Sequence, residues 1–479
     1  IVWGRFTKEF LLGVNGLTFF LWTNFDYFFE VVFMAASTSS KPVLWKMTWP
    51  IFIELLLQML VGNIDQIMLS HFNATAVAAV GNANQVITIL LLTFSVISLA
   101  STILISQYLG AGQQEKVQQV YVLSAVVNLA VSLVLMALLL LGADRLMALM
   151  QVPAEARAEA AVYLRITAVS LPFQALMLTF SAFLRAHARM TVIMLSTGVI
   201  NLVNILGNTA LIYGLGPLPQ LGAAGAALST LTCRMVGMCL LLVSFLRSIP
   251  GATLSPRMLN PWPSMLFRRL LGIGLPAGGE GLSYNLSQAA SLVFVNMIGT
   301  YAVTTRVYAV IFAQVCFMLI SAVSQATAVL VGYAIGARDF EEANRLNNHV
   351  LKVFTPITIS ITLVLAVFAK PLYGLFSTDP QVIALGQKIM CIEVILEIGR
   401  CFNIVLVRDL QAVGDVRYPV TIGIISQWVV AVGVAWLLGM KLGLGLAGIW
   451  TAFAMDECLR AIIFWARWKS GRWKNLQTV

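Results

Sequence analysis

Charge is scarce in this chain: Asp, Glu, Lys and Arg together make up 10% of its 479 residues, against 59% hydrophobic residues. At a mean hydropathy of +0.88, a water-soluble core cannot hide so much apolar surface, and a polytopic membrane protein is implied. Histidine is rarer still. His71, His187 and His349 stand far apart near predicted helix ends, so no metal site is expected. The six cysteines (Cys233, Cys239, Cys316, Cys391, Cys401 and Cys458) fall within apolar spans without a C-x-x-C pair and read as small packing residues. The alternating ten-residue strands of a barrel are missing, which leaves helices as the spanning elements. There is no Walker lysine motif to hydrolyse ATP and no Ser-His-acid grouping, so no enzyme is expected. Gly272-Ile273-Gly274 opens an apolar span with no strand before it, which excludes a dinucleotide loop.

What is present is written twice. Pro50, Glu54 and Gly110 pair with Pro276, Glu280 and Gly336 at a constant offset of 226 residues (276−50, 280−54, 336−110). Self-similarity of this kind in a membrane chain marks a body of two pseudo-equivalent lobes. Apolar runs predict spans at 44–70, 77–109, 117–142, 158–184, 190–213 and 221–247. Six more follow at 267–299, 303–335, 344–369, 384–410, 419–440 and 444–466. The expected architecture is all-α: twelve transmembrane helices in two six-helix pseudo-symmetric bundles. Residues 41–247 form one lobe, 248–266 a proline-rich connector, and 267–479 the second lobe with a basic tail. Residues 1–40 carry Asp26 and Glu30 in an apolar stretch with no counterpart in the second half. They read as an interfacial or poorly ordered extension, a thirteenth span, or an upstream segment of little function.

Sidedness follows from lysine and arginine. If the first span starts in the cytoplasm, inner loops hold Arg185, Arg257, Arg338 and Arg417, and the tail adds Arg467, Lys469, Arg472 and Lys474. Outer loops keep Arg145, Arg157, Arg306, Lys370, Lys388 and Lys441. Both ends of the body are therefore expected in the cytoplasm. The net charge of +10 belongs to this topology and to the lipid surface, not to a nucleic-acid partner.

Ionisable groups at membrane depth cost roughly 2.5–3.5 kcal/mol each, so those retained face a protein interior or a water-filled path. In the first span Glu54, Gln58 and Asp65 share one helical face, and in the seventh Glu280, Tyr284, Ser287, Gln288 and Ser291 trace the same stripe, with Ser291 where the first copy has Asp65. The fifth span carries Asn201, Asn204 and Asn208, and the sixth a small-residue run, Gly222 to Ala227, reaching Thr230. The tenth holds Glu393, Glu397 and Arg400; the twelfth holds Asp456, Glu457 and Arg460. Glu397 with Arg400 and Glu457 with Arg460 read first as structural ion pairs, and the asparagines as either interhelical bonds or ligands. Glu54 and Glu280, a turn or two inside the cytoplasmic ends beside helix-breaking prolines, read as capping, gating or cavity groups. Asp65 has no basic residue within a turn or two, and a lone carboxylate in low dielectric takes up a proton or a metal cation.

Together these residues resemble the multidrug and toxic compound extrusion (MATE) family over about residues 42–468. The resemblance rests on the proline-led first span with Asp65 fifteen residues on, on Gly110-Ala111 and Gly336-Ala337, on Gly414-Asp415, and on Leu221 to Ala227. It implies an alternating V-shaped pair of bundles in a bacterial inner membrane and antiport of organic compounds against protons or sodium. It also implies a monomer with no bound cofactor beyond the transported ion. Asp65 would be the coupling residue, joined by Asn204, Asn208 and Thr230. Asn208 replaces an aspartate common in the family, and Arg400 stands at a position acidic in some members, which leaves the ion open. Cargo would sit between the lobes near Glu54, Gln58, Glu280, Tyr284, Gln288, Glu397 and Arg400, with acidic groups favouring cationic or planar compounds. A flippase for an amphipathic lipid-linked substrate is the alternative. It would need many cations in the cavity, and the sequence offers Arg400 and Arg234.

Overall fold

The computed structural model describes residues 41–214 and 219–476, and the expectation for residues 1–40 lies outside them. Among the described residues every regular element is helical. In chain order the first half contains α1 (Lys41–Ser70), α2 (Ala74–Gly110), α3 (Gln114–Leu149), α4 (Ala154–Val169), α5 (Leu171–Ala186), α6 (Met190–Tyr213) and α7 (Gly222–Ser248). After the connector and its short turn Pro256–Leu259 come α8 (Ser264–Ile298), α9 (Thr300–Gly336), α10 (Phe340–Val367), α11 (Ala369–Phe376) and α12 (Pro380–Ala412). α13 (Arg417–Ser426) continues as π-helical turns over Gln427–Val434 and Trp436–Lys441, and α14 (Gly445–Lys469) ends the body.

Eight of these helices are long and apolar enough to cross a membrane, and α4 with α5, bent by 46° at Ser170, makes a ninth span. α8, α12 and α14 have 35, 33 and 25 residues, enough to span, and they carry the charged residues that turn inward. The twelve predicted spans are thus all present, the fourth as a broken helix. Caps explain several starts. Asn73 takes the Thr75 N–H at 3.0 Å and opens α2. Asp339 and Asp379 do the same for α10 and α12.

Pro50 and Pro276 do not break their helices; α1 and α8 run through them. Neighbouring helices re-satisfy the freed backbone groups at membrane depth. This corrects the depth of two acids. Glu54 lies 13 residues into α1 (54−41) and Glu280 16 into α8 (280−264), about 20 and 24 Å from the helix starts at 1.5 Å per residue. They stand several turns inside their helices and are not end caps.

The two halves meet mainly toward one end, with a further close approach of α8 to α2, where a Cβ at Gly274 or Gly278 would meet Val96. The largest apolar core joins Leu104 and Tyr108 of α2 and Phe183 of α5 to Val331 and Ile335 of α9, Leu410 of α12 and Trp468 of α14. The other apolar clusters among the described residues each stay within one half. The joined end is the one that carries the basic loops. There α2 and α9 cross so closely that a Cβ at Gly110 would meet the Tyr333 carbonyl, and one at Gly336 the Gln107 carbonyl. These contacts are reciprocal under the 226-residue offset (336−110, 333−107), which explains why both copies end this span in glycine. Gln107 Nε2 also donates to the Ala412 carbonyl at 2.6 Å, and the Tyr333 hydroxyl donates to the Ala186 carbonyl.

Candidate functional site

Above this crossing the halves separate around a cavity of about 910 Å³. Its wall includes Glu54, Gln58, Glu280, Tyr284, Gln288 and Arg400, so six of the seven residues expected there are brought together. Glu397 is not on the wall. It is fully buried behind Arg400, whose Nη1 reaches Glu393 Oε1 at 2.9 Å and Glu397 Oε2 at 2.7 Å. Glu393 spends its second oxygen on Trp450 Nε1 at 2.6 Å. Arg400 is therefore held by two carboxylates, a geometry in which removing one partner costs about 3–5 kcal/mol.

A second cluster sits on α14. Arg460 Nη2 contacts Asp456 Oδ2 at 2.5 Å and Glu457 Oε1 at 3.1 Å, while Asn403 donates to Glu457 at 2.6 Å and Ser426 donates to Asp456. Both reading-frame neighbours of the tenth and twelfth spans are thus ion-paired, as the i,i+3 and i,i+4 spacings allow.

At the cavity floor each half contributes one glutamate and one arginine. Arg185, at the end of α5, donates from Nη2 to Glu54 Oε1 at 3.1 Å and Oε2 at 3.2 Å, and from Nη1 across the halves to Gln325 of α9. Gln58 donates to the same Glu54 at 3.1 Å. Glu280, the repeat partner of Glu54, faces Arg408 of α12 without reaching it within ion-pair distance; Glu280 and Arg185 are the charges that act on Arg408. Nearer the open end, Arg306 donates to Gln288 Oε1 at 3.4 Å.

Five arginines, 185, 306, 400, 408 and 460, therefore line the wall, where the sequence offered two. Arg234 is not among them. Its Nη1 donates to Ser170 Oγ at 2.7 Å, at the bend between α4 and α5. Arg185 was assigned to an inner loop and Arg306 to the outer side, yet Arg185 lies in the last turn of α5 and Arg306 in the second turn of α9, and both side chains turn onto the cavity. Arg408 lies inside a predicted span, and the cost of a charge at membrane depth was the signal that could have found it.

Asp65 does not line this cavity. It is half-buried between α1 and α6, where Asn208 Nδ2 donates to its Oδ1 at 2.6 Å and also reaches Asn204 Oδ1 at 3.3 Å. No lysine, arginine or histidine lies within ion-pair distance of Asp65 among the described residues. Asn201 donates to the Leu57 carbonyl at 3.0 Å and ties α6 to α1. On α7 it is Ser229, one residue before Thr230, whose hydroxyl reaches the Asn204 carbonyl, at 3.2 Å. Asp65, Asn204 and Asn208 are brought together, and among the described residues no hydrogen bond joins Thr230 to them. Ser291, at the Asp65 position of the second half, is buried and donates to the Ser287 carbonyl at 2.9 Å, so that half has no matching acid.

The geometry has clear relatives. The MatE family model matches residues 50–209 and 276–437, once in each half. The Bacillus subtilis (strain 168) protein called uncharacterized transporter YisQ is 36% identical over 430 residues, 90% of this chain and 94% of that protein. The Thermotoga maritima probable multidrug resistance protein NorM is 26% identical over 435 residues, 90% of this chain and 92% of that protein. Among solved structures, MATE in the bent conformation superposes with a TM-score of 0.84 at 21% identity, covering 91% of this chain and 97% of the other. With the family pattern matched in both halves, the chain belongs to the MatE family, the multidrug and toxic compound extrusion transporters.

Proposed function

We propose that this protein is a secondary active efflux transporter that exports organic compounds by antiport with protons or sodium ions through alternating access. The observation that carries the reading is a cavity between two halves whose shared apolar core lies at the basic end, together with a carboxylate, Asp65, that has no cationic partner among the described residues. By the positive-inside rule the basic end faces the cytoplasm, so the cavity opens outward in this conformation. The names of the NorM relatives point the same way.

In this reading Asp65, steadied by Asn208 and Asn204, takes a proton or sodium ion from outside. Ion entry biases the halves to part at the cytoplasmic end, where cargo enters. One charge falling through about 100 mV is worth about 2.3 kcal/mol, enough for roughly a fifty-fold cargo gradient. Uptake of dyes into inverted vesicles under separately imposed pH and sodium gradients tests the mechanism. Asp65→Asn is expected to lose gradient-driven uptake by at least about tenfold while the protein stays folded; full uptake by this variant under either gradient would sink the coupling role.

A lipid-linked substrate is the second reading, and the five wall arginines favour it more than the sequence did. Translocation of a labelled prenyl-linked phosphate across proteoliposomes without any ion gradient separates it from antiport.

A further inference from the structure

We propose that the cargo carries an anionic group, a carboxylate or a phosphate, and that this group seats on Arg408 at the cavity floor after passing Arg306. The inference rests on the transport reading above and narrows its substrate class. It follows from how the charges pair rather than from their sum. Glu54 is closed onto Arg185, Asp456 and Glu457 onto Arg460, and Arg400 onto two glutamates behind the wall. Those groups already hold their counter-ions.

Arg306 and Arg408 differ. Neither has a carboxylate within ion-pair distance among the described residues, and Arg408 makes no side-chain hydrogen bond there either. Both belong to the wall of a cavity of about 910 Å³, large enough for a small organic molecule. The floor is asymmetric for the same reason. The first half closes its glutamate–arginine pair, whereas the second leaves Glu280 and Arg408 apart, with the Glu280 carboxylate packed where Gly423 of α13 has no side chain. A guanidinium with open donors, facing a cavity and flanked by Arg185 from the other half, presents the planar fork that carboxylates and phosphates fit.

The test is binding to the purified full-length protein in nanodiscs, without any ion gradient, of two dyes that differ only in one carboxyl: rhodamine 110, with a free carboxylate, and its methyl ester, rhodamine 123. Rhodamine 110 is expected to bind about tenfold more tightly, the size of one charge-assisted hydrogen bond. Arg408→Gln should erase that preference, Arg408→Lys should keep part of it, and Arg306→Gln should weaken it. Arg165→Gln, at a pair with Asp144 outside the cavity, should leave it unchanged. Equal or tighter binding of the ester to the native protein overturns the proposal and needs no variant to fold. So does a preference that survives both Arg408→Gln and Arg306→Gln. Competition tells the source: displacement by methyl phosphate supports a soluble anion, displacement by farnesyl phosphate alone supports a lipid-linked one, and displacement by neither overturns the anion site. If rhodamine 110 binds as expected but neither a proton nor a sodium gradient moves it, antiport fails and the anion site stands.

Discussion

Single side chains decide where this protein is stiff and where it can change. Arg185 holds Glu54, whose side chain is only 6% exposed, and also crosses to Gln325. Arg185→Gln leaves that carboxylate without its counter-ion and should destabilise the closed cytoplasmic end by up to about 3 kcal/mol, whereas Glu54→Gln with Arg185→Gln should recover most of the loss. Thermal unfolding of the two variants in detergent checks this. His187, just past α5, accepts or donates to the Tyr121 hydroxyl, and burial, with Arg189 nearby, pushes its pKa down to about 4. The folded protein thus binds fewer protons here than the unfolded chain, whose histidine titrates near 6.5. Stability from this group is full above about pH 6.5 and is lost as pH falls toward 4. Melting temperatures of His187→Gln should accordingly fall less over that interval than those of the native chain; parallel curves would contradict the assignment.

At the level of helices, the packing of α2 on α9 sets how the halves touch. Gly336→Val places two methyl groups against the Gln107 backbone, where no side chain can turn away. A cost of about 3 kcal/mol is expected for overpacking of this kind, taken from the closed cytoplasmic end rather than from either half alone. Labelling of a cysteine introduced near that end should rise in the variant, and unchanged labelling would show that the crossing tolerates the bulk. This element also shows what the chain made legible. Glycines at 110 and 336 were visible as a gap-free repeat, and the isolation of Asp65 was visible because no basic residue shares its turn. The reason for the glycines was not visible, since a crossing of two helices 226 residues apart leaves no local trace. Nor was the inward path of Arg185 and Arg306, because each sits near a helix end, where an apolar run does not separate a residue that leaves into a loop from one that turns back over a cavity. Glu54 and Glu280 were placed a turn or two from the helix ends, beside their prolines, whereas α1 and α8 begin 13 and 16 residues before them.

Across the molecule, charge and shape are divided unequally between two copies of one design. The first half keeps the lone acid at Asp65 and a closed pair at the floor, while the second replaces that acid with Ser291 and gathers Arg306, Arg400, Arg408 and Arg460 around the cavity. In the proposed mechanism, ion handling would fall to the first half and cargo handling to the second. If so, Asp65→Asn and Arg408→Gln should be separable: the first should leave the preference between the two rhodamines within about twofold of native, and the second should abolish it while dye-independent proton or sodium binding persists. Isothermal titration of each variant in nanodiscs reads both.

The reciprocal contacts of Gly110 with Tyr333 and of Gly336 with Gln107 have the form of an isologous interface, in which residue i of one copy meets residue j of the other and j meets i. A joint of that form would hold together two unlinked identical chains as well as one fused chain. With the copies tied by residues 249–263, a substitution falls on one of them alone, so each flank can differ from the other while the joint between them keeps a self-matching surface.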